Sequence, residues 1–134
     1  MYGLTIFYPE QTCPNPPVEY PWTVRQLSDN GSLVNVTLLN PWQGVDFGTV
    51  TGGRHYIHGL FISWAQRDKQ APAIRLDRGS VTVDGCEFMD AGGRQVMLEK
   101  NAATAIILGN RFHGAARLGN KIGKRAKIMA NAAI

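Results

Sequence analysis

Along the chain, apolar and polar residues alternate in short runs, and each run is broken by a single Gly or Asn. The segments "GLTIFY", "NVTLLN", "GLFISW", "GCEFMD" and "GNRFHG" begin at Gly3, Asn35, Gly59, Gly85 and Gly109, at spacings of 32, 24, 26 and 24 residues. Just before the break, Leu33, Ile57, Val83 and Ile107 stand in register. Just after it, Ile6, Leu38, Ile62, Phe88 and Phe112 do the same. Alternation within each arm is the period of a strand with one buried face. Helical spacing does not persist through any of these windows. A third short strand fits most units, at "PWTVR" (21–25), "GVDFG" (44–48), "AIRLD" (73–77) and "VMLEK" (96–100).

Self-similarity at about two dozen residues is the mark of a solenoid. Three short strands cannot bury a face alone, but stacked coils make one continuous apolar interior. The sequence therefore predicts a single all-β domain over 1–134. Its architecture is a right-handed single-stranded parallel β-helix of about five coils, with three short strands per coil. The long first spacing comes from a Pro-rich loop insertion at 8–21, and "AQRDKQAP" (65–72) is a second, polar insertion. The C-terminal "AKIMANAAI" reads either as a last strand pair or as a short cap.

Three-strand rungs, tight Gly or Asn corners and "G-x-x-F" or "G-N-x-F" endings resemble the right-handed parallel β-helix of the pectate lyase and polygalacturonase (pectin lyase-like) superfamily. The resemblance runs over roughly 3–134. It implies a carbohydrate-active module, a hydrolase or lyase (or a fragment of one) acting on an acidic polysaccharide. The catalytic signatures of polygalacturonases are missing, as is the Asp cluster by which pectate lyases hold calcium. The chain is also short for that family, and no amphipathic helix precedes Gly3 to cap the first coil. An uncapped coil presents unpaired backbone. The alternative is thus a non-catalytic structural or glycan-binding segment that forms homo-oligomers through its exposed coil ends.

Inward positions of such a fold are packed, so chemistry falls to outward columns and loops. Asp77 and Glu99 occupy equivalent places on adjacent rungs, which lie about 4.8 Å apart. A carboxylate pair that close suits acid–base or nucleophilic work at a glycosidic bond. Asp46 is the third candidate catalytic residue, with Arg75 as its neighbour; an Arg there would bind a uronate. Plain turn charges and a cross-strand ion pair explain the same residues. "TGGRHY" (51–56) sets Arg54 and His55 at the lip of a Gly-rich turn as substrate-binding candidates, although the parity of His55 also fits a histidine at the core. Trp42 and Trp64 occupy equivalent places, either as sugar platforms or folded over the coil to seal it.

The remaining composition narrows the partners. Net charge is +4, with much of the excess in "NKIGKRAK" (120–127), which has no interleaved aromatics to stack on bases. Nucleic acid is therefore not the expected partner; a polysaccharide is. Cys13, Cys86, His55, His58 and His113 show no metal-ligand spacing, so no metal and no cofactor are expected. Cys86 sits on an apolar position of the repeat and reads as a buried, inert thiol. No run approaches the length of a membrane span. The N-terminal residues lack the basic start and apolar stretch of a signal peptide. The resembled family is mostly secreted, which leaves localisation open.

Overall fold

The computed structural model describes residues 1–11, 18–25, 29–47, 53–63, 72–89 and 93–134. Sixteen strands appear in these residues. They are β1 (Thr5–Phe7), β2 (Trp22–Arg25), β3 (Ser32–Val34), β4 (Thr37–Leu39), β5 (Gln43–Phe47), β6 (Arg54–His58), β7 (Phe61–Ser63) and β8 (Ile74–Leu76). Then follow β9 (Ser80–Asp84), β10 (Glu87–Phe88), β11 (Val96–Leu98), β12 (Thr104–Leu108), β13 (Arg111–Phe112), β14 (Leu118–Asn120), β15 (Ala126–Met129) and β16 (Ala132–Ala133).

The strands form three parallel sheets. The first sheet runs β1-β4-β7-β10-β13-β16, the second β2-β5-β8-β11-β14 and the third β3-β6-β9-β12-β15. The chain visits them in fixed rotation, so each strand pairs with the strand three places on. Five stacked strands in the second and third sheets span about four turns, with three strands per coil. The fold is a parallel β-solenoid, as the repeat predicts.

Register agrees with the spacing of the apolar columns. Leu33, Ile57, Val83 and Ile107 are successive partners in the third sheet. Ile6, Leu38, Ile62, Phe88 and Phe112 are successive partners in the first. All of these except Ile6 lie in the buried core. The Phe88 and Phe112 rings stack at 5.2 Å, adding an aromatic contact to burial that contributes about 1.5–3 kcal/mol per large apolar side chain.

Corners explain the Gly and Asn. Gly3, Asn35, Gly59, Gly85 and Gly109 all have φ between +53° and +65°. A Cβ there strains most L-residues, and Gly or Asn adopts the conformation most readily. A sixth corner is Ala130, at φ +54°. It joins β15 to β16, so "AKIMANAAI" forms a last strand pair. Gly44 answers a different need: a Cβ on it would lie 2.1 Å from the carbonyl oxygen of Ala73.

The residue after each of the four middle corners, Asn35, Gly59, Gly85 and Gly109, points inward. Val36, Leu60, Cys86 and Asn110 are each 1% exposed. Apolar packing fills the first three places, and burial pushes the Cys86 thiol up to about 12. Asn110 is fully engaged instead. Its Oδ1 accepts from the Cys86 N–H at 2.8 Å, and its Nδ2 donates to Val83 O at 3.0 Å and Asn131 Oδ1 at 2.9 Å. Asn131 repeats the pattern one turn on, accepting from the Asn110 N–H and donating to Ile107 O.

The Pro-rich insertion is pinned at its base. Gln11, 3% exposed, donates to Val18 O at 2.7 Å and accepts from the Val18 N–H at 2.6 Å. Tyr20 donates to the Glu10 carboxylate, and that bond is the main reason Glu10 lies below its ordinary pKa. Tyr8 packs at a tilt against Tyr20 and donates to Thr23 Oγ1, tying the loop to β2.

Candidate functional site

On the outer face of the second sheet, one column reads Arg25, Asp46, Arg75, Met97 and Gly119 in register. Asp46 is only 1% exposed, and Arg75 from the next rung lies 3.6 Å from it. The other end of the Arg75 guanidinium lies 3.9 Å from Asp77. Asn101 also donates to Asp77, at 3.4 Å. Glu99 follows Leu98, the partner of Leu76, so Asp77 and Glu99 do fall on adjacent rungs. Glu99, however, takes its own cation, Lys121, at 2.7 Å.

Beside these groups is an open depression of about 250 Å³ lined by Pro72, Arg75, Arg94, Met97, Glu99 and Lys121. Its floor depends on Gly119. A Cβ there would stand 2.2 Å from Met97 Sδ and 3.2 Å from Arg94 Cδ. The thioether and the stem of Arg94 therefore lie across the next rung, and Met97 is 8% exposed. Three cations surround an apolar patch, with one carboxylate among them.

The third sheet carries a second face. Arg54, Tyr56 and His58 project from β6; Ser80, Thr82 and Asp84 are their partners on β9; Thr104, Ile106 and Leu108 are theirs on β12. A depression of about 220 Å³ lies over part of this grid, bounded by Arg54, Ser80, Thr82, Thr104 and Ile106 with His55 and Val81 beneath. Ser80 and Thr104 share a hydrogen bond of 2.7 Å. Asp84 Oδ2 receives two donors, His58 Nδ1–H at 3.0 Å and Tyr56 O–H at 3.4 Å. A carboxylate only accepts, so His58 carries its proton on Nδ1 and turns Nε2 away from the pair. The Tyr56 and His58 rings are parallel, 5.9 Å apart. Lost hydration, and then the Asp84 charge, raise the Tyr56 phenol above its ordinary value.

The sequence candidates therefore fall into separate groups. Asp46, Arg75 and Asp77 meet directly, and Glu99 shares the depression that Arg75 lines. Arg54 belongs to the third-sheet face. His55 points into the core at 3% exposure and stacks on Phe47 at 4.4 Å, so it underlies that face. Trp42 is buried at 9% and folds against the coil. Trp64 lies outside the described residues, as does Cys13.

Sequence reasoning missed Arg94, which precedes β11, and Lys121, which reads as part of a solvated basic turn. It also missed the His58–Asp84 pair, although a signal was present. His58 and Asp84 both directly precede a corner glycine, so the repeat places them side by side. Among the described residues, no group of three or more His, Cys, Asp or Glu is arranged to hold a metal ion. No helix of the described residues is long and apolar enough to cross a membrane.

Fold and faces define a class: a parallel β-solenoid with three strands per coil and charged outer faces. Comparison of the chain with family models, curated proteins and solved structures gives no match.

Proposed function

We propose that this solenoid binds an acidic polysaccharide on the outer face of its second sheet. One observation carries the reading: Arg75, Arg94 and Lys121 ring an open depression whose floor is Met97 and Pro72. Guanidinium groups take carboxylates or sulfates in fork geometry, and a sugar ring offers an apolar face to the thioether. The depression is open to solvent and lined from adjacent rungs, which suits part of an extended chain rather than a small enclosed ligand. On this reading the chain is an outlying member of the pectin lyase-like superfamily, supported by its three-strand rungs and tight corners.

Binding is favoured over cleavage because each carboxylate of the face is paired with a cation. Asp46 and Asp77 flank Arg75, and Glu99 holds Lys121. Hydrolysis or elimination at the same face is the second reading, supported by Asp77 and Glu99 standing on adjacent rungs. A panel of acidic and neutral polysaccharides separates the two. Retardation in affinity electrophoresis by acidic glycans, with neither new reducing ends nor the ultraviolet absorbance of unsaturated products, is the expected result. Turnover lost in Asp77→Asn and Glu99→Gln would establish cleavage instead. No retention by any acidic glycan and no turnover would remove both readings.

A further inference from the structure

We propose that the third sheet carries a second, independent site, which takes a phosphate monoester in the depression over β6, β9 and β12. Register builds it. Arg54, Ser80 and Thr104 form one row across three rungs, and Tyr56, Thr82 and Ile106 form the next, two residues along each strand. Adjacent rungs lie about 4.8 Å apart, so neighbouring donors can each reach an oxygen of one small anion. Backbone contacts fix the lip: the Arg54 N–H donates to Asn30 Oδ1 at 3.0 Å, and the Ser80 N–H to Gly53 O at 2.9 Å.

The lining calls for an anion. Arg54, Ser80, Thr82 and Thr104 face the depression, and no carboxylate does. Arg54 makes no ion pair among the described residues. On the second sheet, by contrast, acids hold Arg75 and Lys121. The hydroxyls are also set to give. Thr104 donates to Ser80 at 2.7 Å, which leaves the Ser80 O–H for an acceptor in the depression. Thr82 makes no side-chain hydrogen bond among the described residues, so its O–H is available too. The strands of this sheet contribute one acid, Asp84. It stands about 13 Å along β9 from Ser80, and His58 and Tyr56 already donate to it.

Shape and charge choose the class. A carboxylate offers two oxygens in one plane. A phosphate monoester offers three oxygens, and up to two charges, to donors that arrive from two rungs and two rows. Ile106, 43% exposed, lies at the corner of the depression diagonal to Arg54, where the organic group of an ester gains an apolar surface. Lys127, in register with Ile106 on β15, adds a second cation beside it.

Titration of the whole chain, read in amide nitrogen–proton correlation spectra, tests the proposal. Inorganic phosphate should shift the amides of Arg54, Ser80, Thr82 and Thr104 saturably, and acetate at equal ionic strength should do so far more weakly. Phenyl phosphate should bind about threefold or more tighter than inorganic phosphate, and Ile106→Ser should erase that difference. Arg54→Ala should weaken both by about tenfold or more, with Arg54→Lys in between because it keeps the charge and loses the fork. Ser80→Ala should cost about threefold while the rest of the spectrum stays in place. Amides of β11 and β14 report the second sheet separately, so failure here leaves the polysaccharide reading untouched. Third-sheet amides that never saturate, shifts spread evenly over every surface cation, acetate as effective as phosphate, or affinity indifferent to Arg54→Ala would overturn the site. Phenyl phosphate no tighter than inorganic phosphate would overturn the ester.

Discussion

Ala130 is the one corner that departs from Gly or Asn, yet it holds φ +54° like the others. An L-residue with a Cβ pays strain there that glycine does not, partly offset by the extra freedom glycine has when unfolded. Ala130→Gly should therefore stabilise the protein by about 0.5–1 kcal/mol, read as a raised urea midpoint. Gly44→Ala should act the other way. Its Cβ would collide with the Ala73 carbonyl, which accepts from the Val45 N–H at 2.7 Å. Overpacking of that kind costs about 1–3 kcal/mol, and the same denaturation measures it. Cys86 gives a pH signature. Its folded pKa is raised from 9.0 to about 12, so above pH 9 the unfolded chain loses a proton that the folded chain keeps. Stability from this group is complete below pH 9 and declines as pH rises towards 12, by up to about 1.4 kcal/mol per unit. Cys86→Ala should flatten that alkaline decline, and the native thiol should resist alkylation at pH 8. The corner column was legible because Gly and Asn announce positive φ. Ala130 was not, since alanine carries no such signal.

At the scale of the strand, buried polar groups decide the outcome. Asn110 occupies a place that Val36, Leu60 and Cys86 fill on other rungs, so Asn110→Leu fits by shape. It would leave the Cys86 N–H and Val83 O without their partner in the core. The expected loss is about 2–4 kcal/mol, and calorimetry measures it. Asn131→Ala should cost less, because that residue is only half-buried. Period-two alternation with a two-dozen-residue repeat was enough to place the strands β2, β5, β8 and β11 and their apolar partners. The repeat fixes which residues are neighbours on adjacent rungs, and so it foretold Asp46 beside Arg75. It does not fix rotamers. Whether Glu99 would turn to Asp77 or to Lys121 was therefore beyond it, as was the crossing of Arg94 over Gly119. Trp42 shows the same limit: its place at the start of a loop favoured the seal without excluding the platform, and packing chose the seal.

For the whole molecule, a net charge of +4 is less informative than where the cations stand. Arg75 is occupied by Asp46 and Asp77, while Arg94 lines the depression beside it. Retention on an acidic glycan should fall as salt rises, because these groups are partly exposed and screened. Arg94→Ala and Lys121→Ala should each weaken it by up to about tenfold, a change of about 1.4 kcal/mol, whereas Arg54→Ala on the third sheet should leave it unchanged. Affinity electrophoresis across a salt series reads all three. The solenoid has a further property that follows from its pairing alone. Each strand touches only the coil above and the coil below, so no tie runs from one end to the other. Heating should then peel the molecule inward from its extremities, and the amides of β7, β9 and β10 should be the last to exchange with deuterium.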